Sequence, residues 1–304
     1  MPTIRQSLIS SLTRLYPLYS GGSTFANKSF IQKLAGNSSE CVWTHVQGGE
    51  VLAPLNDYVG RSVFYAGDLD RKITWICSQL VRRGDTVLDI GANIGIVTVS
   101  LSELVGKKGK VHSFEPNPKM QAIIEKALEH NQISNVCLHK FALGAEQGVL
   151  ELNIPKFNAG SASLIYHSNS SDCDKVSVQV RSLSSVVTEE NIDTIRLIKI
   201  DVEGFEYNVL KGGEEVLNKI RPDAILFELN DRSDKSVHLI RDEPAIKILN
   251  KFGYKFFAIP KCLFKMRLKP FNFEDNIMIG HDILAIAEGD SYYDVCKLVN
   301  ASPY

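Results

Sequence analysis

From Gly84 onward, short runs of β-branched and aliphatic residues alternate with segments whose apolar residues recur at helical spacing. That alternation restricts the chain to a mainly parallel sheet whose strands are joined by crossover helices packed on its faces. The strand-like runs are Thr86–Ile90, Lys110–Glu115, Val136–Phe141, Arg196–Asp201, Ala224–Leu229, Lys255–Ile259 and Asp282–Ala287, seven in all. Between them, Ile96–Val105, Pro118–Asn131, Glu206–Ile220 and Pro244–Phe252 read as covering helices. In the second of these, Met120, Ile123, Ile124, Ala127 and Leu128 fall on one face. Two further β-like pieces, Val149–Asn153 and Val176–Val180, bracket the small-residue loop Asn158–Ser163 and predict an inserted hairpin.

Ahead of the sheet, the small polar stretches Ser20–Ser23 and Gly36–Ser39 break the first eighty residues into short pieces. The expected organisation is an N-terminal cap over 1–84 and an α/β domain over 85–304. Ile4, Leu8, Ile9, Leu12, Leu15 and Tyr16 repeat at helical spacing, with Arg5 and Arg14 beside them. The segment is expected to be a short helix packed on the body, or a mobile terminus, in preference to a helix on a membrane surface.

At 304 residues and 44% hydrophobic, the chain can bury a full core without disulfides or metals. Its 34 basic and 35 acidic side chains give a net charge of −1, which lacks the basic face that wholesale nucleic-acid binding needs. The six cysteines form no CxxC pair, which argues against a zinc knuckle or dithiol centre; they are expected to be reduced and mostly buried. No stretch approaches the roughly 20 apolar residues of a membrane span. With no apolar leader-like run at its start, the expected compartment is the cytoplasm.

The strongest local signal is Val87-Leu88-Asp89-Ile90-Gly91-Ala92-Asn93-Ile94-Gly95, a buried strand entering a Gly-rich turn and then a helix. Glycines let the backbone turn sharply and lie against a ligand, and the helix amides offer hydrogen bonds. Glu115 follows Gly95 by 20 residues at the end of the next strand, where a carboxylate can accept both hydroxyls of a ribose. Asn117 and Pro118 supply an N-cap and a first helical residue, turning the chain immediately after Glu115. A dinucleotide loop wants a closely approached glycine where this chain has Asn93. Asp89, just ahead of the turn, would put negative charge near the ligand, which suits a sulfonium or amino group better than a pyrophosphate. S-adenosyl-L-methionine is therefore expected over NAD.

The chain resembles the FkbM-type family of S-adenosylmethionine-dependent methyltransferases. Four blocks carry the resemblance, which spans about Tyr65 to Leu229: Asp89-Ile-Gly-Ala-Asn-Ile-Gly95, Ser113-Phe-Glu115-Pro-Asn117-Pro118, Phe141-Ala142-Leu143-Gly144, and Ile198-Lys199-Ile200-Asp201-Val202-Glu203-Gly204-Phe-Glu206 with Val209-Leu210-Lys211-Gly212. It implies a Rossmann-like seven-stranded methyltransferase sheet and O-methylation of a sugar, polyketide or similar hydroxyl. It places Gly91, Ala92, Asn93 and Gly95 around the methionine part, Glu115 on the ribose and Asn117 near the adenosine, with Phe141 and Ala142 along the adenine. Where the family has a Gly-x-Tyr-Glu-like stretch, this chain has Gly67-Asp68-Leu69-Asp70, a departure at Asp70.

The acidic strand ends mark the mouth of such a sheet. Asp201 and Glu203 end the fourth strand beside the Gly-rich turn, and Glu228 ends the fifth; these three are the candidate catalytic acids, either touching the acceptor or taking its proton. Glu228 and Asn230 with Asp201 match a divalent-metal set only loosely, and no metal is assigned. His167 is an alternative base, read first as a surface residue. Lys261, Lys265, Arg267 and Lys269 alternate with Met266 and Leu268 and read as a solvated basic strand face before an anion site. The expected activity is methyl transfer to a small-molecule or glycan hydroxyl, with a homodimer as the default assembly. Two rivals are a non-catalytic binding protein that keeps the cofactor fold and, behind it, an NAD-dependent oxidoreductase.

Overall fold

A computed structural model describes residues 2–15, 19–36, 40–156, 158–165, 173–229, 240–262, 264–270, 273, 281–289 and 292–301. Three short helices come first, α1 (Ile4–Thr13), α2 (Gly22–Ala26) and α3 (Ser29–Ala35). A hairpin of β1 (Cys41–Val46) and β2 (Gly49–Pro54) follows, then α4 (Tyr58–Ala66) and α5 (Arg71–Leu80). The alternating part runs β3 (Thr86–Ile90), α6 (Ile96–Val105), β4 (Lys110–Phe114), α7 (Pro118–His130) and β5 (Val136–His139). Next come β6 (Ala142–Leu143), β7 (Gly148–Pro155), β8 (Cys173–Arg181), α8 (Leu183–Glu189) and β9 (Leu197–Ile200). The chain continues through α9 (Glu206–Gly212), α10 (Glu214–Lys219), β10 (Ala224–Leu229), α11 (Pro244–Lys251), β11 (Tyr254–Ala258), β12 (Lys269–Pro270), β13 (His281–Ala287) and α12 (Tyr292–Leu298).

The main sheet has the order β12-β11-β13-β10-β9-β3-β4-β5. Strands β10, β9, β3, β4 and β5 pair in parallel, and β13 runs antiparallel between β10 and β11. From β3 the chain winds outward to β4 and β5, then returns to β9 on the other side of β3. The strand order therefore reverses between β3 and β9, the place where open α/β sheets bind ligands at their carboxyl ends. The seven expected strands are present, and the two-residue β12 adds an eighth at the edge.

Period-two alternation divides the core. Leu88, Ile90, Ile198, Ile200, Ile225 and Phe227 face a cluster closed by α8–α11. Val87, Val111, Leu197, Leu226 and Leu284 face the opposite cluster, closed by α5, α6 and α12. The inserted hairpin is β7 paired antiparallel with β8, and β6 joins it as a third strand.

Several expectations need correction. Glu206–Ile220 is two helices rather than one, because the chain turns at Gly212 and Gly213. A Cβ on Gly212 would lie 2.0 Å from the Gly144 carbonyl oxygen, so backbone packs on backbone there. The strand expected over Val136–Phe141 stops at His139, after which the chain leaves for the small sheet. Met266 and Leu268 are buried and Lys265 and Arg267 exposed as alternation requires, but only Lys269–Pro270 pairs as a strand. The cysteines are free, with Cys77 and Cys296 buried, Cys41 exposed and the others between. Helix α1 does pack on the body, yet its buried residues are Gln6, Ser10 and Thr13. Tyr16, His167 and Asn230 lie outside the described residues.

Phe227, 1% exposed, fills the centre of the larger cluster from β10. Its replacement by alanine should cost about 3–5 kcal/mol of stability, read from guanidinium unfolding. A loss below about 1 kcal/mol would mean that this cluster collapses around the gap, contrary to its close packing.

Candidate active site

The turn after β3 is shaped by positions only a few residues can occupy. Gly91 has φ +81°, and a Cβ there would meet the Asp201 carbonyl oxygen at 1.9 Å, so glycine is required by both conformation and space. Its N–H and that of Ala92 both donate to the Phe114 carbonyl, at 3.0 and 3.1 Å. Asn93 is left-handed at φ +54°, a region that asparagine tolerates better than most residues.

This turn delivers the Asn93 N–H to Glu115 Oε2 at 2.8 Å, while the Asn117 N–H donates to Oε1, also at 2.8 Å. Asn117 caps α7 by accepting from the Lys119 N–H, and Pro118 opens the helix, as the sequence predicts. Glu115 is thus fixed at both oxygens, each with a lone pair left for a ligand hydroxyl. Burial pushes its carboxyl up to about 7, against the two amides, which pull it down.

Beneath the turn, the parallel register sets Asp89 beside Lys199 on β9 and Ser113 on β4. Lys199 Nζ lies 3.2 Å from Asp89 Oδ1 and 3.7 Å from Asp201 Oδ2, and donates to the Gly91 carbonyl at 2.8 Å. Thr98 Oγ1 donates to Asp89 Oδ2 at 2.6 Å. Burial would strip Lys199 of its proton, but Asp89 and Asp201 outweigh it and hold the ammonium charged.

The other rim is the loop after β9. Glu206, buried at the start of α9, accepts from the N–H groups of Val202 (3.3 Å) and Gly204 (3.0 Å) through Oε1. That grip supports Glu203 at φ +51° and Gly204 at φ +97°. Ser163 Oγ donates to the Glu203 carbonyl at 2.9 Å. Burial, then Asp201 and Glu206, push the Glu203 carboxyl up to about 7. Burial, then Asp201 and Asp282, push Glu228 up to about 8. Across the mouth, Lys72 Nζ bridges Asp282 (2.8 Å) and Asp70 (3.2 Å). Asp70 caps α5 through the Lys72 N–H, and burial followed by Asp282 raises it to about 6. Asp68 accepts from Thr74 Oγ1 and is likewise raised by burial.

Two clefts meet here, their volumes counted to the open mouth. One, about 590 Å³, is lined by Phe114, Glu115, Phe141, Ala142 and the loop around Gly160. The other, about 910 Å³, is lined by Tyr58, Asp68, Asp70, Glu228 and Asp282. Gly91, Asn93, Gly160, Asp201 and Glu203 border both.

Of the residues singled out in the sequence, Gly91, Ala92, Asn93, Glu115, Phe141, Ala142, Asp201, Glu203 and Glu228 line one cleft or both. Three do not. Asp89 is 0% exposed and spends its charge on Lys199, so direct ligand contact is corrected to support from below. Gly95 opens α6 at φ +86° against Ile124. Asn117 sits behind Glu115, acting through its amide. Sequence reasoning missed Asp282, Asp68 and Lys72 at the mouth and Glu206 under the loop. Asp282 had a signal, since it is an acidic residue opening the expected run Asp282–Ala287, and the structure pairs it with Glu228 in register.

Among the described residues, one group of metal-type donors stands out, His112, Cys137, His139 and Glu190, with donor atoms within 4.8 Å. His112 Nδ1 and His139 Nε2 are 3.1 Å apart, with ring centroids at 5.4 Å and planes 14° apart. These values require the rings to lie in line, each nitrogen aimed at the other, which is the geometry of a shared N–H···N proton. Tetrahedral ligands would converge on a third point instead.

Residues 89–256, more than half of the chain, match the methyltransferase FkbM domain family. The chain is similar to methyltransferase 1 of Beauveria bassiana, 27% identical over 41% of this chain and 57% of the relative. It is similar to the 2-O-methyltransferase NoeI of Sinorhizobium fredii, 28% identical over 54% and 69%. It is also similar to the 31-O-demethyl-FK506 methyltransferase FkbM of Streptomyces tacrolimicus, 27% identical over 44% and 62%. The match thus spans little more than half of some relatives' length. Among solved structures, the methyltransferase FkbM of Methylobacillus flagellatus aligns over 91% of this chain and 58% of its own, at 13% identity and a TM-score of 0.41.

Replacing Lys199 by methionine should leave Asp89 charged, buried and unpaired, at a cost of about 3–5 kcal/mol. Adding Asp89→Asn should recover a large part of that loss. Urea unfolding of the two single variants and the double variant measures the coupling, and additive losses would show that the pair is not the unit described.

Proposed function

This chain belongs to the FkbM methyltransferase family, whose cofactor is S-adenosyl-L-methionine, and from that premise we propose that it methylates a hydroxyl of a saccharide or secondary metabolite. The observation that carries the reading is the junction of the two clefts at Asp201 and Glu203, with a doubly anchored carboxylate in one and acids of raised pKa in the other.

The residues fit the cofactor. Gly91, packed against the Asp201 carbonyl, offers bare backbone at the junction of the two clefts. The buried Asn93 Oδ1 has no hydrogen-bond partner within the protein. Glu115 would hold the ribose hydroxyls, Phe141 and Ala142 the adenine, and Gly91, Ala92 and Asn93 the methionine end. When bound, the cofactor supplies an electrophilic methyl group on a sulfonium centre.

The chain's own residues then act on the acceptor. Asp201 and Glu203 border the cleft at which the methyl would be presented, so an acceptor there is oriented by carboxylates accepting from its hydroxyls. Glu203 or Glu228 takes the hydroxyl proton as the carbon–oxygen bond forms. Both carboxyls sit near 7–8, where a base is ionised in useful fraction yet still holds a proton well. The printed names of the Sinorhizobium and Streptomyces relatives, both O-methyltransferases, support oxygen as the acceptor atom.

Isothermal titration with S-adenosylhomocysteine tests the cofactor half. Ribose hydroxyls need an ionised acceptor, and Glu115 is raised to about 7, so affinity should be full above that pH. Below pH 7 it should weaken, approaching about tenfold per unit as binding must strip a proton. Glu115→Gln should bind at least about tenfold more weakly at pH 8 and lose this dependence. A pH-independent wild-type affinity would contradict the ribose assignment.

Turnover against a panel of hydroxylated saccharides and secondary metabolites tests the acceptor half. Once an acceptor is found, Glu203→Gln should lower kcat by about 10²–10⁴ with S-adenosylhomocysteine affinity unchanged. Unchanged kcat would move the base to Glu228.

A further inference from the structure

Helix α1 is reversed relative to an ordinary surface helix, which buries its apolar stripe. Its Ile4, Leu8 and Leu12, together with Leu15 just beyond, are 83%, 62%, 69% and 75% exposed, whereas Gln6, Ser10 and Thr13 are buried. The inward polar face closes the end of α4. Ser10 Oγ donates to the Phe64 carbonyl and Thr13 Oγ1 to that of Tyr65, both at 2.6 Å. Arg14 donates to the carbonyls of Phe64 (3.0 Å) and Val63 (3.2 Å). The Val63 carbonyl also accepts from the Gly67 N–H at 2.9 Å, whereas those of Phe64 and Tyr65 lie in the last turn of α4, beyond the reach of its own amides. Rolling α1 to hide its leucines would leave them unsatisfied, so the exposed stripe is locked in place.

Helix α3 lies against α1, with Arg5 Nη2 donating to the Lys33 carbonyl at 3.4 Å. It adds Phe30 and Leu34, 48% and 49% exposed. Six of the twelve large apolar side chains left exposed among the described residues therefore fall within the first 34 positions. The charge here has one sign. Residues 1–39 contain Arg5, Arg14, Lys28 and Lys33 and no aspartate or glutamate, in a chain whose net charge is −1. Arg5, Lys28 and Lys33 are exposed beside the apolar stripe.

We propose that α1 and α3 form an interfacial anchor that seats the protein on a lipid bilayer carrying anionic headgroups. The leucine stripe enters the boundary between headgroups and acyl chains, and the basic residues meet the headgroup charge. With ten residues, α1 lies in the interface, and no helix among the described residues is long and apolar enough to cross. A second copy of the chain is the weaker occupant, because a two-fold contact would set this patch, which carries basic and no acidic residues, against the same patch of the other copy. The anchor is also bonded to the wall of the larger cleft, since α4 carries Tyr58 and Val59 at its other end. The inference stands apart from the assigned reaction.

The test is co-sedimentation of the full chain with vesicles of phosphatidylcholine alone or mixed with phosphatidylglycerol, at low and high salt. The protein should bind the mixed vesicles, at least about tenfold more weakly in high salt. Leu8→Gln with Leu12→Gln, and separately Lys28→Glu with Lys33→Glu, should each weaken binding at least about tenfold. S-adenosylhomocysteine affinity and thermal unfolding should be unchanged in both, showing that the fold is intact. The proposal is overturned if mixed vesicles do not retain the wild type, if neutral vesicles retain it equally, or if the leucine variant binds as well. It is also overturned if the wild type is a dimer that the leucine variant disperses.

Discussion

The ion pair of Asp89 and Lys199 sits where the sheet, the turn and the mouth all meet. Both side chains are buried, at 0% and 6% exposure, and neither would be tolerated alone in that core. The register of β3 against β9 makes them neighbours, and the face they share is the one covered by α6, whose Thr98 satisfies the second oxygen of Asp89. Lys199 passes the constraint on by donating to the Gly91 carbonyl. A slip of one residue in either strand would send one partner to the opposite face. The pair therefore specifies register as well as tying the turn to the sheet, which leaves Gly91 and Asp201 close enough that only glycine fits.

Above this pair the charge balance reverses. Asp201, Glu203, Glu228, Asp282, Asp70 and Asp68 converge on the larger cleft, and the cations bordering them, Lys199 and Lys72, are already engaged with carboxylates. Burial, and after it crowding, raise several of these acids, so part of the negative charge is withheld near neutral pH. A cation entering the cleft would favour the ionised forms and lower those pKa values, with its affinity falling as the acids protonate.

How much of this was legible follows from what each signal reports. Alternation and helical spacing report burial on an element's faces, so strands such as Thr86–Ile90 and Ala224–Leu229 and the helix Ile96–Val105 fall where the sequence puts them. Turn chemistry is nearly as local, and Asn117 caps α7 with Pro118 opening it, as the sequence reads. Orientation toward a ligand is not local. Asp89 is one residue from the rim yet points into the core, because period-two alternation puts it on the face of Val87 and its partner comes from a strand 110 positions later. The break in Glu206–Ile220 depends on the backbone of Gly144, and the reversal of α1 on the carbonyls ending α4. Neither partner can be inferred from the segment itself.

The backbone of the two rims shows where the molecule accepts strain. Asn93 and Glu203 are both left-handed and non-glycine, and both border the two clefts where these meet. Such positions persist only when their surroundings overdetermine them. Each is held by a buried carboxylate taking two backbone N–H groups: Glu115 binds the amides of Asn93 and Asn117, and Glu206 those of Val202 and Gly204. The two clamps are alike in form but not in exposure to the cleft. Glu115 borders it and keeps lone pairs for a ligand, whereas Glu206 is buried away from it under its loop. The two rims of the cleft junction are thus built by the same device, and what separates them is whether the clamping carboxylate itself lines the cleft.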